Sequence, residues 1–278
     1  MEKQIEIERS IIKKYRQTIW ARFVGGIKDY ALLQEGDKIA VCVSGGKDSF
    51  LLAKCMQQLQ KYTDRPFSLT FLCMDPGYRP ENRALIAQNA EKMGIPLQFF
   101  ETDIFDFVAD KADGSPCYLC ARMRRGYLYK HAKALGCNKI ALGHHFDDVA
   151  ETVLMSMLYG GELKSMMPKL HSENYDGMEL IRPLYLVHEA DILAWKRYND
   201  LSFLQCACRF TEAAAAQEAP HGARARVKAL LKELQAENPQ AAANIFAATH
   251  SVHLGTMPGT VENGVRHSFL EHYADETP

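Results

Sequence analysis

The sequence predicts an α/β fold, a parallel sheet with helices on both faces, and two observations carry that expectation. Short, nearly continuous apolar runs alternate with longer stretches of helical periodicity from residue 38 to about residue 159. The runs lack the regular polar alternation of a half-exposed strand, which is how strands covered on both faces read. In sheets built by such strand-helix repetition, ligands sit beyond the carboxyl ends of the strands.

The elements follow in order. Ile5, Ile7, Ile11, Ile12, Tyr15, Ile19, Trp20, Phe23 and Val24 stand at mixed helical spacing among charges, so residues 5 to about 31 read as an amphipathic helix ended by the turn Glu35-Gly36-Asp37. Strands are expected at Lys38–Val43, Phe67–Met74, Ile95–Phe99 and Lys139–Leu142. Helices are expected at Phe50–Leu59, at Pro80–Met93 with proline in the first turn, at about Ala121–Leu135 and at about Asp147–Tyr159. From about Lys164 the pattern weakens. Pro168, Gly177 and Pro183 punctuate loops, helices are expected at His188–Asn199 and Ala225–Ala236, and the final stretch reads as a poorly ordered tail.

Composition narrows the function classes. The chain has 278 residues, 47% of them hydrophobic and 24% charged, with 33 Lys+Arg against 34 Asp+Glu. That balance fits one large or two small globular domains and excludes a disordered chain, a collagen-like rod and a globally basic nucleic-acid coat. Eight cysteines spread over a chain whose first 20 residues are charged throughout do not suit a secreted disulfide framework. No apolar run approaches the roughly 18 residues of a membrane span, so a cytoplasmic protein with no membrane contact is expected.

Ser44-Gly45-Gly46-Lys47-Asp48-Ser49 lies between a predicted strand and a predicted helix, where backbone N–H groups and a helix N-terminus hold phosphate. Adjacent glycines also suit a bare turn, but the serines, lysine and aspartate add phosphate chemistry. The loop is tighter than a Walker A loop, which has four residues between its first glycine and Gly-Lys. Asp48 inside the nest repels phosphate unless a divalent cation bridges the two, so it predicts Mg2+.

Cys117 and Cys120 form a Cys-x-x-Cys pair just before a predicted helix, and Cys206 and Cys208 form a later Cys-x-Cys pair. Four thiolates would close a structural zinc site; three in a four-iron cluster would leave one iron open; a redox dithiol is the third option. Cys42, Cys55, Cys73 and Cys137 fall in predicted strands and helices and read as small buried hydrophobes. Beyond the first pair, Arg122, Arg124, Arg125, Lys130 and Lys133 follow on one helix. Seven Lys+Arg face one Asp between Lys111 and Lys139, either a solvated face or a phosphate-binding one. Gly143-His144-His145-Phe146-Asp147-Asp148 also follows a strand and opens a helix, either capping that helix or binding nucleotide and Mg2+ opposite the glycine loop.

At this point the chain resembles a known family. Ser44 to Ser49 looks like the PP-loop of ATP pyrophosphatases, which split ATP between its α- and β-phosphates. The order PP-loop, Cys-x-x-Cys with an arginine-rich helix, Gly-His-His-x-Asp-Asp, Tyr159-Gly160-Gly161, Pro168-Lys169-Leu170, Arg182-Pro183-Leu184 and late cysteines is similar to the tRNA-cytidine 2-sulfurtransferase family. The likeness covers roughly residues 15 to 255 and is most specific from Cys117 to Leu170.

The resemblance implies a PP-loop ATPase domain over 36–205, preceded by a helical segment over 1–35 and followed by a helical region over 206–255 and a tail over 256–278. It implies that ATP, held with Mg2+ by Ser44, Gly45, Gly46, Lys47, Asp48, Ser49, Gly143 and His144, adenylates O2 of a cytidine in the tRNA anticodon loop. Sulfur carried on a [4Fe-4S] cluster ligated by Cys117, Cys120 and Cys206 then displaces AMP. Asp48, Asp148 and Arg124 are the implied catalytic groups, a cysteine desulfurase the implied sulfur donor and a homodimer the implied assembly. The late cysteines depart from the family's Cys-x-x-Cys, and residues 211–222 depart from its polar stretch, which admits a paralogue acting on another base or RNA. An amine nucleophile beside a structural zinc site, or a non-catalytic RNA-binding protein, are the remaining alternatives. How a chain of net charge −1 holds tRNA is left to local basic surface, with Lys13, Lys14, Arg16 and Arg22, the arginine helix and Arg224 to Lys232 as its expected members.

Overall fold

The structure, a computed structural model, describes residues 2–102, 104, 116–204 and 222–273, the side chains of 116–122 and 272 excepted. Two compact units divide it at Ala229/Leu230. The first unit opens with α1 (Glu2–Arg9), two π-helical turns (Ser10–Lys14 and Arg16–Trp20) and α2 (Ala21–Asp29). Then come β1 (Lys38–Cys42), α3 (Lys47–Tyr62), β2 (Ser68–Asp75), α4 (Pro80–Met93), β3 (Leu97–Glu101), α5 (Pro116–Ala134), β4 (Lys139–Ala141) and α6 (Phe146–Gly160). The strands β5 (Lys169–His171) and β6 (Glu179–Ile181), the helix α7 (Glu189–Tyr198) and the first turns of α8 (Ala223–Glu237) complete it.

The six strands lie in the order β3-β2-β1-β4-β6-β5, all parallel except β5, which pairs antiparallel with β6. Alternate residues of β1 enter two different cores. Ile39, Val41 and Val43 pack with Phe50, Leu51 and Met56 of α3, Met93 of α4, Trp195 of α7 and Ile11 and Ile19 of the N-terminal segment. Ala40 and Cys42 pack with Tyr129 and Ala132 of α5. Burial on both sides is why β1 reads as an unbroken apolar run, and it places helices on both faces as expected.

Buried charge pins these layers together. Lys54 of α3 is fully buried and donates to Glu8 Oε1 at 2.8 Å, Gln57 Oε1 at 2.9 Å and the Met93 carbonyl at 2.8 Å, tying α1 and α4 to α3. Lys139, counted above among the cations of the arginine segment, is 2% exposed and lies 2.9 Å from Asp37 and 3.0 Å from Glu179. It belongs to the core, so the basic excess that segment offers to a ligand is smaller than its sequence suggests.

Two short strands and one hairpin depart from the expected elements. β5 and β6 are three residues each, too short to display a period, and β6 forms because its backbone pairs with the open side of β4. In the second unit, α9 (Ala241–Ala248) precedes the hairpin β7 (Gly259–Glu262) and β8 (Val265–Ser268), followed by α10 (Leu270–Tyr273). Within the segment 256–278 expected to be an irregular tail, residues 259–273 therefore carry regular structure. The hairpin's turn, Asn263-Gly264, has φ of +51° and +81°, the paired positive values of a type I′ turn, and Asn-Gly is the sequence signal that announces one.

Candidate functional site

The sheet reverses direction of growth between β1 and β4: β2 and β3 extend one way, β6 and β5 the other. Beyond the carboxyl ends of two such strands lies the crevice where doubly wound sheets bind ligands. Here that crevice is a cavity of about 360 Å3. Ser44, Asp48 and Ser49 line it from the loop after β1, Gly143, His144 and Asp148 from the loop after β4, and Arg124 from α5. Seven candidates separated by up to a hundred residues in sequence thus share one wall.

Gly45, Gly46 and Lys47 shape the loop behind that wall. Gly45 has φ +89°, and a Cβ there would stand 2.8 Å from Ile86 Cγ1, so both backbone and space require glycine. The Ser49 hydroxyl donates to the Gly46 carbonyl at 2.9 Å and accepts the Ser44 N–H at 3.1 Å, closing the turn onto the first residues of α3. Gly143 serves a close approach: a Cβ there would lie 3.0 Å from both Asp48 C and Ser49 N, so the two loops touch through backbone.

A chain of charges surrounds the cavity. Lys47 Nζ donates to Asp48 Oδ2 and to Glu189 Oε1, both at 3.0 Å. Lys228 also donates to Glu189 at 2.8 Å, while Arg224 reaches Asp148 Oδ1 at 2.6 Å and Glu151 Oε2 at 3.3 Å. Burial opposes the charged forms of Glu189 and Lys47, yet Lys228 and Lys47 hold the Glu189 carboxyl at about 2, and Asp48 and Glu189 raise the Lys47 ammonium above its ordinary value. Asp148 is likewise lowered against its burial by His145 and Arg224, and accepts the His145 N–H at 3.0 Å. Asp148 therefore both caps α6, as its N3 residue, and lines the cavity, while its neighbour Asp147 accepts the Glu189 N–H at 2.7 Å at the start of α7.

Glu189 and Arg224 are the site residues that motif reading does not assign. Arg224 lines the cavity itself, and lone charges at helix starts carry no sequence signal for a partner so distant along the chain.

His144 is a further polar group of the cavity wall. Burial and the nearby Arg182 lower its pKa to about 4, and its Nδ1 is buried without a hydrogen-bond partner. Because the unfolded imidazole titrates near 6.5, unfolding takes up a proton as pH falls from 6.5 toward 4, and the stability His144 contributes above that window is lost across it. Melting curves over this range are expected to lose on the order of 3 kcal/mol through this group, and a His144→Gln variant is expected to flatten that part of the profile.

Metal fit can be read from the same residues. Asp48 Oδ1 is buried with no hydrogen-bond partner, 3.8 Å from His145 Nε2. Among the described residues no group of three or more His, Cys, Asp or Glu is arranged to hold a metal ion. The Asp48 carboxylate on the phosphate loop has the chemistry of a Mg2+ ligand, since that ion commonly takes one or two carboxylates plus substrate phosphates. Cys117 and Cys120 stand in the first turns of α5, but their side chains and the whole of Cys206 and Cys208 lie outside the described residues. Cys42, Cys55, Cys73 and Cys137 are free and buried, with burial raising their thiol pKa values, as expected of core residues. Among the described residues no helix is long and apolar enough to cross a membrane.

A family model described as PP-loop domain matches residues 11–208. The tRNA-cytidine(32) 2-sulfurtransferase of Geobacter sulfurreducens is 36% identical over 228 residues, covering 81% of this chain and 86% of that protein. Its namesake from Geotalea uraniireducens is 38% identical over 229 residues, covering 81% and 88%. The chain belongs to the tRNA-cytidine 2-sulfurtransferase family of PP-loop ATP pyrophosphatases. Among solved structures, the U34-tRNA thiolase NcsA from Methanococcus maripaludis, with its [4Fe-4S] cluster, superimposes with a TM-score of 0.65 at 21% identity, covering 83% of this chain and 76% of that one. At that identity the likeness establishes the shared fold. For this sulfurtransferase-family chain it agrees with the mostly parallel sheet described above.

Proposed function

We propose that this chain is a tRNA sulfurtransferase that exchanges O2 of an anticodon-loop cytidine for sulfur at the expense of ATP. Membership of the 2-sulfurtransferase family supports the tRNA substrate. The observation that carries the chemistry is the convergence of the PP-loop, the Gly-His-His-x-Asp-Asp loop and the cysteine-bearing helix on one cavity.

In this reading cytidine O2 attacks the α-phosphorus of ATP, the bond from that phosphorus to the bridging oxygen breaks, and pyrophosphate leaves. Sulfur then attacks C2, the C2–O bond breaks and AMP leaves. Ser44, Ser49 and the N-terminus of α3 bind the polyphosphate, and Lys47 and Arg224 balance its charge. Asp48 would hold Mg2+, which would neutralise phosphate charge. Arg124 stabilises negative charge near the reacting oxygen, Asp148 orients Arg224, and neutral His144 offers a hydrogen bond to nucleotide or base.

A [4Fe-4S] cluster on Cys117, Cys120 and Cys206 supplies, when bound, the position from which sulfur is delivered. Two features support it. Cys120 stands one helical turn before the cavity-lining Arg124, about 6 Å along the axis. Leu204, two residues before Cys206 in the chain, donates its N–H to the Gly45 carbonyl at 3.2 Å. A sulfur donor such as a cysteine desulfurase, and a homodimer, complete the proposal.

Protein purified without oxygen is expected to be brown, with about four irons per chain and absorbance near 400 nm. Stoichiometric zinc without iron would overturn the cluster. Mass spectrometry of tRNA nucleosides from cells lacking the protein is expected to show 2-thiocytidine lost, and an unchanged level would move the assignment to another base.

A further inference from the structure

The structure sorts the basic residues of the chain into paired and unpaired ones. Arg22 is bonded to Asp191 at 3.2 Å, and Arg224 and Lys228 are engaged by Asp148, Glu151 and Glu189. Lys13, Arg16 and Arg197 are exposed, and among the described residues none of them has a carboxylate partner. These three come from the two π turns and from α7, and a buried contact ties the first π turn to the end of that helix. Trp195 Nε1 and Asn199 Nδ2 both donate to Ser10 Oγ at 3.1 Å, and Ser10 Oγ donates to the Ile7 carbonyl at 2.7 Å.

The helix conformation is unusual at the same place. Tyr15 N–H bonds to the Ser10 carbonyl at 2.8 Å and Trp20 N–H to the Tyr15 carbonyl at 3.1 Å, two consecutive i to i−5 closures. Such π turns concentrate at functional sites, because each inserts an extra residue that ordinary helix packing does not require. Here they keep Ile11 and Ile19 fully buried while Lys13, Lys14 and Arg16 face solvent. An aromatic ring completes the surface. Tyr198 is 55% exposed, carries Lys14 Nζ 3.8 Å from its centroid, and meets Tyr15 edge-on at 6.0 Å.

We infer that this face, formed by the two π turns and the end of α7, docks the phosphate backbone of the tRNA with Tyr198 stacking on an unpaired base. Unpaired cations beside an exposed ring are what single-stranded and looped RNA is bound by. A chain of net charge −1 has no global field to attract RNA, so its affinity must come from such a local cluster. The face is within reach of the site: α7 runs from Glu189, the partner of Lys47, to Tyr198, about 13 Å along its axis. A tRNA with one base in the cavity extends well past that length. The assignment rests on the thiolation reading above and adds where the substrate is held.

The test uses the full chain, purified without oxygen, and an unmodified tRNA transcript. Lys13→Glu, Arg16→Glu and Arg197→Glu combined are expected to weaken binding more than tenfold and to make the dependence of log affinity on log salt shallower by about 2 to 3. Tyr198→Ala alone is expected to lose about tenfold with the salt slope unchanged. ATP binding without tRNA and the melting temperature are expected to stay as in the wild type. The corresponding glutamine triple variant, which introduces no repulsion, is expected to reproduce the shallower slope and decides the matter if charge reversal disturbs folding. Equal affinity and slope in variant and wild type would overturn this surface while leaving the thiolation reading intact. A wild-type chain that binds no tRNA would overturn both.

Discussion

Asp48→Asn is expected to slow ATP-dependent pyrophosphate release by about 10^2- to 10^3-fold, with the melting temperature close to that of the wild type. The carboxylate has one oxygen on Lys47 Nζ at 3.0 Å and the other buried without a hydrogen bond, 3.8 Å from His145 Nε2. An amide of the same shape keeps the packing and removes the charge that a bridging cation needs. Lys47 retains Glu189 at 3.0 Å, so the lysine stays in place and the loss isolates the carboxylate. Pyrophosphate release in the presence of tRNA is the measurement, and a rate within a few-fold of the wild type would remove Asp48 from the reaction.

Gly143→Ala is expected to damage folding and nucleotide binding together. Its Cβ would meet Asp48 C and Ser49 N at 3.0 Å and Asp48 O at 3.2 Å, all backbone atoms that no rotamer change can move aside. Overpacking of this kind costs about 1 to 3 kcal/mol, or several degrees of melting temperature in a chain of this size. Because the displaced backbone is the phosphate loop itself, nucleotide affinity is expected to fall more than tenfold. Gly46→Ala supplies the contrast, since its nearest neighbours would be Ser44 Oγ at 3.8 Å and the Leu204 carbonyl at 3.9 Å. That variant is expected to melt like the wild type, so any loss of ATP binding would report approach of phosphate to the loop. Equal melting temperatures for Gly143→Ala and the wild type would show that the two loops have room to part.

The interior strands and their helices were legible because local physics and burial agree there. β1 is apolar throughout since both its faces are covered, and α4 begins at Pro80 and ends at Gly94 with φ +62° because proline and glycine suit those termini. β5 and β6 were not legible, since three residues show no period and only the open side of β4 makes strands of them. The hairpin at Asn263-Gly264 did carry a signal, which a search for longer periodicity passes over.

The candidate site divides in the same way. The residue types that meet phosphate, Ser44 to Ser49 and Gly143 to Asp148, are contiguous in the chain, because a strand-to-helix turn builds such a nest from neighbouring residues. Their meeting across one cavity follows from β1 and β4 being sheet neighbours, a pairing made by nonlocal backbone hydrogen bonds. The charges are more dependent still on the fold. As letters, Lys13, Arg22, Lys139 and Arg224 are equivalent cations. Tertiary structure buries Lys139 against Asp37 and Glu179, spends Arg22 on Asp191, turns Arg224 into the cavity and leaves Lys13 in solvent. By itself the sequence determined which chemistry the chain carries, since that resides in side-chain identity at short spacing. Which charges remain open to a ligand was decided by the fold, because neutralisation depends on distance in space and falls off within a few ångströms.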